Sequence, residues 1–189
     1  MSSLQTQFQK KIIPELQKTL GLENKMAVPR LSKIVVNSGI GRLVTSSGQN
    51  REKIMADIEK ILSLITGQKP SPRRAEKSIA GFKLRQGEVV GFKVTLRGKR
   101  MYDFLERFIG IALPRSRDFR GIPLTSVDQH GNLTVGVREH IIFPEVASED
   151  TRQLYGFEIT LVPTTHNRDR AIALFRAFGV PFSKQNPKL

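Results

Sequence analysis

Apolar positions recur along this chain with two periods. Leu4, Phe8, Ile12, Leu16 and Leu20 stand four residues apart, the stripe of an amphipathic helix. Pro14 is expected to kink or restart that helix, and Gly21 to end it. Ile54, Ile58, Ile61, Leu62 and Ile65 form a second stripe, predicting a helix from about Gln49 to Ile65 with Gly67 beyond its end. Met101, Phe104, Leu105, Phe108, Ile109 and Ala112 predict a third, stopping before Pro114. A fourth starts at Asn167, a natural N-cap, and turns Ala171, Ile172, Leu174, Phe175 and Phe178 inward before Gly179 and Pro181.

Between these helices the period falls to two. Leu31–Asn37 is rich in β-branched residues and reads as a strand, broken by Ser38-Gly39-Ile40-Gly41. Val89–Arg97 is the clearest strand: Val90, Phe92, Val94 and Leu96 share one face, and Gly91, Lys93, Thr95 and Arg97 the other. Weaker signals predict an edge strand near Gln68–Ser71, beside Pro70 and Pro72, and strands over Asn132–Phe143 and Phe157–Val162. After the N-terminal helix the order is β-α-β-β-α-β and then β-α. The first six elements match the split βαβ arrangement of ferredoxin-like and RRM-like domains. The expected fold is therefore α+β: an antiparallel sheet with helices on one face, an extra N-terminal helix and a C-terminal strand and helix. A single domain over 1–189 is expected, with the N-terminal helix at 3–20, a sheet-and-loop part at 27–100 and a C-terminal half at 101–189.

Parity gives that sheet an open face. With Ile34, Val36, Phe92 and Val94 inward, Lys33, Val35, Asn37, Lys93, Thr95 and Arg97 point outward, donors and cations suited to phosphates, riboses and base edges. Composition strengthens this. The 189 residues include 31 Lys+Arg and 17 Asp+Glu, a formal charge of +14, beyond the roughly 2–8 units of an ordinary small domain, and so call for a polyanionic partner. The excess is uneven: residues 69–100 hold ten basic and two acidic residues, whereas 121–163 carry −4. Outward aromatic residues are missing from Val89–Arg97 and the chain has no Trp. Contacts to the shape and backbone of a folded RNA are thus favoured over base stacking on single strands. The long basic stretch Arg73–Gly87 is a second candidate surface, since loops of that length are uncommon in compact domains unless functional.

Other chemistries find no support. The chain has no Cys, hence no disulfide framework, thiolate metal site or cysteine nucleophile. His130, His140 and His166 are too scattered to converge on a metal. Gly39-Ile40-Gly41 lacks the third glycine of a dinucleotide fingerprint, Val44 standing in its place. Glu149-Asp150 falls in an expected loop and carries no acid–base logic beyond proximity. Neither an enzyme nor any cofactor is expected. No apolar run approaches the roughly 20 residues of a membrane span, and Met1-Ser2-Ser3-Leu4-Gln5 opens no signal segment, so a cytoplasmic location is expected.

Several segments, taken in order, resemble the bacterial large-subunit ribosomal protein L5 family across nearly the whole chain. They are Ala27-Val28-Pro29-Arg30 leading to Val35-Val36-Asn37-Ser38-Gly39; Thr66-Gly67-Gln68-Lys69-Pro70; Lys77–Gly87; Gly91–Gly98; Pro114-Arg115 to Phe119-Arg120-Gly121; and Gly136–Glu145. The resemblance implies a structural constituent of the large ribosomal subunit that binds 5S ribosomal RNA in the central protuberance. Asn37, Gln68 and Thr95 fall at the family's 5S-contacting positions, and the implied set is Arg30, Lys33, Asn37, Gln68, Lys69, Lys93, Thr95 and Arg97. It further implies that a loop with Arg73, Arg74, Lys77, Ser78, Gly81, Phe82, Lys83 and Arg85 reaches the transfer RNA in the peptidyl site. An intersubunit bridge to a protein of the small-subunit head would use Arg115, Arg117, Asp118, Arg120, Glu139 and Glu145. The 23S ribosomal RNA and neighbouring 5S-binding proteins complete the implied partners. Glu76 departs from the basic residue expected of many members.

Overall fold

A computed structural model describes residues 4–41, 43, 50–82, 84–117, 119–146 and 154–183. Helix α1 spans 4–20 in three parts: α-turns Leu4–Gln7, a π-turn Phe8–Ile12 and an α-helix Ile13–Leu20. Strand β1 is Leu31–Gly39, helix α2 Arg51–Thr66, strand β2 Ser71–Arg74 and strand β3 Val89–Leu96. Helix α3 spans 98–115, again in three parts, with a π-turn at Phe108–Ala112. Strands β4 (Leu133–Val137) and β5 (Phe157–Pro163) and helix α4 (Arg168–Ala177) follow. The strands form one antiparallel sheet in the order β2-β3-β1-β5-β4, so the fold is α+β and ferredoxin-like.

Several elements differ from the sequence expectation, and β1 runs on through Ser38 to Gly39 instead of breaking at Ser38. The place beside β1, which the split βαβ pattern gives to the strand after α3, belongs to β5, and β4 takes the edge. The edge strand near Pro70 lies at Ser71–Arg74 rather than Gln68–Ser71, and all four of its residues are exposed. Such an edge tolerates Pro72, which has no N–H to give to a ladder. The strand expected over Asn132–Phe143 stops at Val137, and His140–Ile142 forms a short 3-10 turn instead.

Both prolines inside helices are accommodated in the same way. Ile13, just before Pro14, donates its N–H to Phe8 O, and Leu113, just before Pro114, donates to Phe108 O. Each is a bond to the fifth residue back. The widened turn makes room for a ring that would otherwise meet a carbonyl four residues back. Helix α3 therefore runs through Pro114 to Arg115 instead of stopping before it.

The described residues fall into two compact units interleaved along the sequence. The first comprises Met1–Ile34, Arg97–Val135 and Thr160–Leu189. Here α1 packs against α3 and α4. Phe8 stacks on Phe178 at 5.2 Å between ring centroids and lies 5.9 Å from Tyr102. The Asn167 side chain accepts from the N–H groups of Asp169 and Arg170 at 3.0 and 3.1 Å, the capping expected of it. Arg168 donates to Leu124 O at 2.8 Å and Val127 O at 3.2 Å.

The second unit is Val35–Leu96 with Gly136–Ile159. Helix α2 packs on β3 and buries Ile58, Ile61, Leu62 and Ile65. Phe92, Val94 and Leu96 are buried on β3, as are Val36 and Ser38 on β1. The two strands approach closely at Gly91, where an added Cβ would stand 2.8 Å from Ser38 O. Only glycine fits there without shifting backbone.

Candidate nucleic-acid interface

The alternation read from β1 and β3 is realised from Phe92 onward on β3 and from Ile34 to Asn37 on β1, whereas Gly91, expected outward, is buried and Val90, expected inward, is half-buried. Ile34, Val36, Phe92, Val94 and Leu96 are buried, while Lys33, Val35, Lys93 and Thr95 are half-buried and Asn37 is exposed. In the second unit the outward face therefore carries Val35 and Asn37 from β1 and Lys93 and Thr95 from β3. Strand β2 extends it, because Ser71 pairs with Lys93 and Arg73 with Gly91, and partners across an antiparallel ladder share a face.

Gln68 joins this face through the end of α2. Thr66 Oγ1 donates to Leu62 O at 2.7 Å and accepts from Gln68 N at 3.4 Å, which turns the chain over Gly67 toward the sheet. The Gln68 Nε2 group then donates to Thr95 O at 3.4 Å. Two residues 27 apart in sequence, both expected to contact RNA, are thus brought together. Lys69 is exposed and pairs with Glu59 at 3.2 Å, a contact that an RNA phosphate could compete with, since solvent-exposed pairs are weak. In the first unit, Arg97 donates to Ser32 O at 3.2 Å. Arg30 donates its backbone N–H to Thr164 Oγ1 and its Nη2 to Met26 Sδ.

The Arg73–Gly87 stretch is not an irregular loop. Arg73 and Arg74 belong to β2, and the rest continues the β2–β3 hairpin. Ala75 N donates to Glu88 O at 2.8 Å, and Ile79 and Leu84 exchange backbone bonds of 3.0 and 3.2 Å. Gln86 N donates to Ser78 Oγ at 2.9 Å. The hairpin tip projects apolar side chains among basic ones: Phe82 is 71% exposed and Ile79 45%. Arg74, Lys77, Ser78, Gly81 and Arg85 are exposed along it. Lys83 lies outside the described residues, as do Val44, Asp118 and the Glu149-Asp150 pair. Among the described residues no group of His, Asp and Glu could hold a metal ion, and no helix is long and apolar enough to cross a membrane.

A basic sheet face beside a basic hairpin leaves open which RNA-binding family is present, and comparison with known proteins decides it. A family model described as ribosomal protein L5 matches residues 24–85, and a second, describing the C-terminus of the same ribosomal family, matches 89–182. The large ribosomal subunit protein uL5 of Acidobacterium capsulatum is 50% identical over 179 residues, covering 95% of this chain and 96% of that protein. The proteins of the same name from Dichelobacter nodosus and Mesoplasma florum are 48% and 47% identical, each covering 99% of the relative and 96% and 97% of this chain.

The chain belongs to the ribosomal protein L5 family.

It is accordingly a structural constituent of the large ribosomal subunit and not an enzyme, and in bacteria it resides with ribosomes in the cytoplasm. The residues that the L5 resemblance marks for an intersubunit bridge fall in different units. Arg115, Arg117 and Arg120 belong to the first, and Glu139 and Glu145 to the second. Arg115 is exposed and ends α3 rather than lying in a loop.

His140 sits beside Glu139 but serves the interior. Its ring is fully buried and stacks on Tyr155 at 4.1 Å and 15°, with Nδ1 3.2 Å from Tyr155 O and 3.4 Å from Tyr155 N. The ring turns inward three residues after the end of β4. Burial holds its pKa below the ordinary value, against the backbone bond to Tyr155 and the charge of Glu139. The unfolded chain therefore takes up a proton near the ordinary value of about 6.5 while the folded chain resists it. Stability is fully present above that pH and declines as the pH falls below it. Urea unfolding between about pH 7.5 and 5 is expected to show this decline in the native sequence and less of it in His140→Gln. Parallel pH profiles would contradict the assignment, since the exposed His130 and His166 are common to both.

Proposed function

We propose that this L5 protein binds 5S ribosomal RNA through the outward sheet face, meets the peptidyl-site transfer RNA with the 75–88 hairpin and bridges to the small-subunit head. The observation that carries the first part is the convergence of Gln68 on Thr95 on a face shared with Asn37 and Lys93. Asn37 and Thr95 supply fixed donors and acceptors, and Lys69, Lys93 and Arg73 supply charge; the resemblance separately assigns Arg30, Lys33 and Arg97 to the same RNA. Such a division suits a folded RNA, whose phosphates need charge and whose riboses and base edges need directional bonds.

The hairpin suits a second RNA. Its stem is ordered by backbone bonds, its flanks are basic, and its tip offers the exposed Phe82 and Ile79 as apolar surface for a ribose or base. The reading of the bridge rests on the resemblance and on the −4 balance of 121–163, which suits a basic protein partner.

Sheet face and hairpin separate experimentally. Lys77→Ala with Arg85→Ala is expected to leave the affinity for isolated 5S RNA within about threefold while weakening cross-linking of the assembled subunit to peptidyl-site transfer RNA several-fold. A collapse of 5S binding in that variant would show that the hairpin had been assigned to the wrong RNA.

A further inference from the structure

The 75–88 hairpin leaves the sheet at an irregularity, because the register between β2 and β3 shifts between Arg73 and Arg74. Such a shift breaks the ladder and bends the strand, so the ladder alone does not fix the direction of what lies beyond it. The stem closes through Ala75 N to Glu88 O at 2.8 Å and Gly87 N to Ala75 O at 2.9 Å. Residues 85–88 fold into a turn with Glu88 N on Arg85 O at 3.2 Å and Gly87 at φ 85 in its third position, as a type II turn requires.

Glu88 is one of only two acidic residues among 69–100, and its carboxylate joins two elements. Oε2 accepts from the Arg85 backbone N–H at 3.1 Å, within the hairpin. Oε1 accepts from Arg51 Nη1 at 3.1 Å, and Arg51 is the first residue of α2, the helix packed on β3. The Arg51 hydrogen bond, followed by the Arg85 N–H, holds the Glu88 carboxyl below its ordinary range, so both contacts are made by the charged form. Arg74 adds a bond to Gly87 O at 3.0 Å.

We propose that Glu88 and Arg51 are a positioning pair that fixes the direction of the 75–88 hairpin against helix α2. The stem bonds give the hairpin its shape, and this pair aims it. A hairpin aimed in advance loses less freedom when its tip meets a partner. The inference goes beyond the proposed transfer-RNA contact and does not depend on it, because direction is measured in the free protein.

The native chain has no Cys, so spin labels attach only where cysteines are introduced. Gly81→Cys at the tip, where an added side chain meets nothing within 4 Å, and Lys60→Cys on the exposed face of α2 report the tip-to-helix distance by electron–electron double resonance. In the otherwise unaltered chain a narrow distance distribution is expected. Glu88→Ala and Arg51→Ala are each expected to roughly double its width with no change in melting temperature. Glu88→Arg, which sets two like charges against each other, should broaden it too, and the Arg51→Glu/Glu88→Arg exchange should narrow it again. Unchanged width in both alanine variants, or an exchanged pair no narrower than Glu88→Arg alone, would overturn the proposal. A transfer-RNA contact that fails while the width responds would refute the hairpin's proposed partner and leave the positioning pair standing.

Discussion

The affinity of the chain for isolated 5S RNA is expected to fall about 10³-fold between about 50 and 200 mM monovalent salt. The size follows from the cations available. Arg30, Lys33, Lys69, Arg73, Lys93 and Arg97 are the basic residues proposed to meet 5S RNA, and each phosphate neutralised releases condensed counterions whose dilution drives association. About six such contacts give a loss of that order across a fourfold change in salt. Lys93→Ala should reduce the slope of log affinity against log salt by about 1. A shallow slope would mean that few phosphates are engaged and that the +14 charge serves another end. The pairing of Lys69 with Glu59 enters this figure, because that bond must be exchanged for a phosphate.

Neighbouring residues of β3 are expected to fail in opposite ways when truncated. Phe92 is 3% exposed and faces inward, so Phe92→Ala should cost roughly 3–5 kcal/mol of folding stability, combining lost burial with the cavity left behind. Thr95, three residues on, is half-buried on the outward face. Thr95→Ala should leave the melting temperature nearly unchanged and weaken 5S binding by roughly 1 kcal/mol per hydrogen bond lost, more where a partner stays buried and unpaired. Asn37→Ala on β1 should behave as Thr95→Ala does. Melting curves and 5S titrations on the same preparations separate the two classes. The parity assignment fails if Thr95→Ala unfolds the chain, or if folded Phe92→Ala binds 5S RNA more weakly than Thr95→Ala.

That opposition was visible in the amino-acid sequence because strand alternation is a local property. Phe92-Lys93-Val94-Thr95-Leu96-Arg97 has one solution with its apolar side covered, and the structure adopts it. The Asn167 cap was legible for the same reason, its partners being two and three residues away. What escaped the sequence depended on distant partners. Strand β4 ends at Val137, and His140 just beyond it turns in to stack on Tyr155, fifteen residues later. The hairpin form of 75–88 rests on bonds between residues as far apart as Ala75 and Glu88. In local terms that segment mixes charged, small and apolar residues with two glycines. Pro114 stops an ordinary helix, and nothing nearby in sequence signals a π-turn that carries the chain past it. Which strand lies beside β1 is likewise a matter of competition between β4 and β5, which their own residues do not announce.

The candidate site divides along the same line. Asn37, Lys93 and Thr95 followed from alternation, whereas Gln68 follows α2 and was marked only by resemblance. Its place beside Thr95 comes from the Thr66 hydroxyl that turns the chain at the end of the helix. Arg73, expected in a loop, joins the sheet face through its pairing with Gly91. Arg168, which carries no local signal beyond its charge, holds the Leu124–Val127 turn by two hydrogen bonds.

Hydroxyl-radical footprinting of 5S RNA, alone and with saturating protein, is the direct measure of whether the outward sheet face is an RNA interface. At a concentration just sufficient to saturate, the native chain is expected to protect one confined set of riboses, and the Asn37→Ala/Thr95→Ala double variant, still folded and about thirtyfold weaker, to lose most of that protection. Protection spread evenly along the RNA, or a confined footprint that the double variant leaves intact, would contradict it.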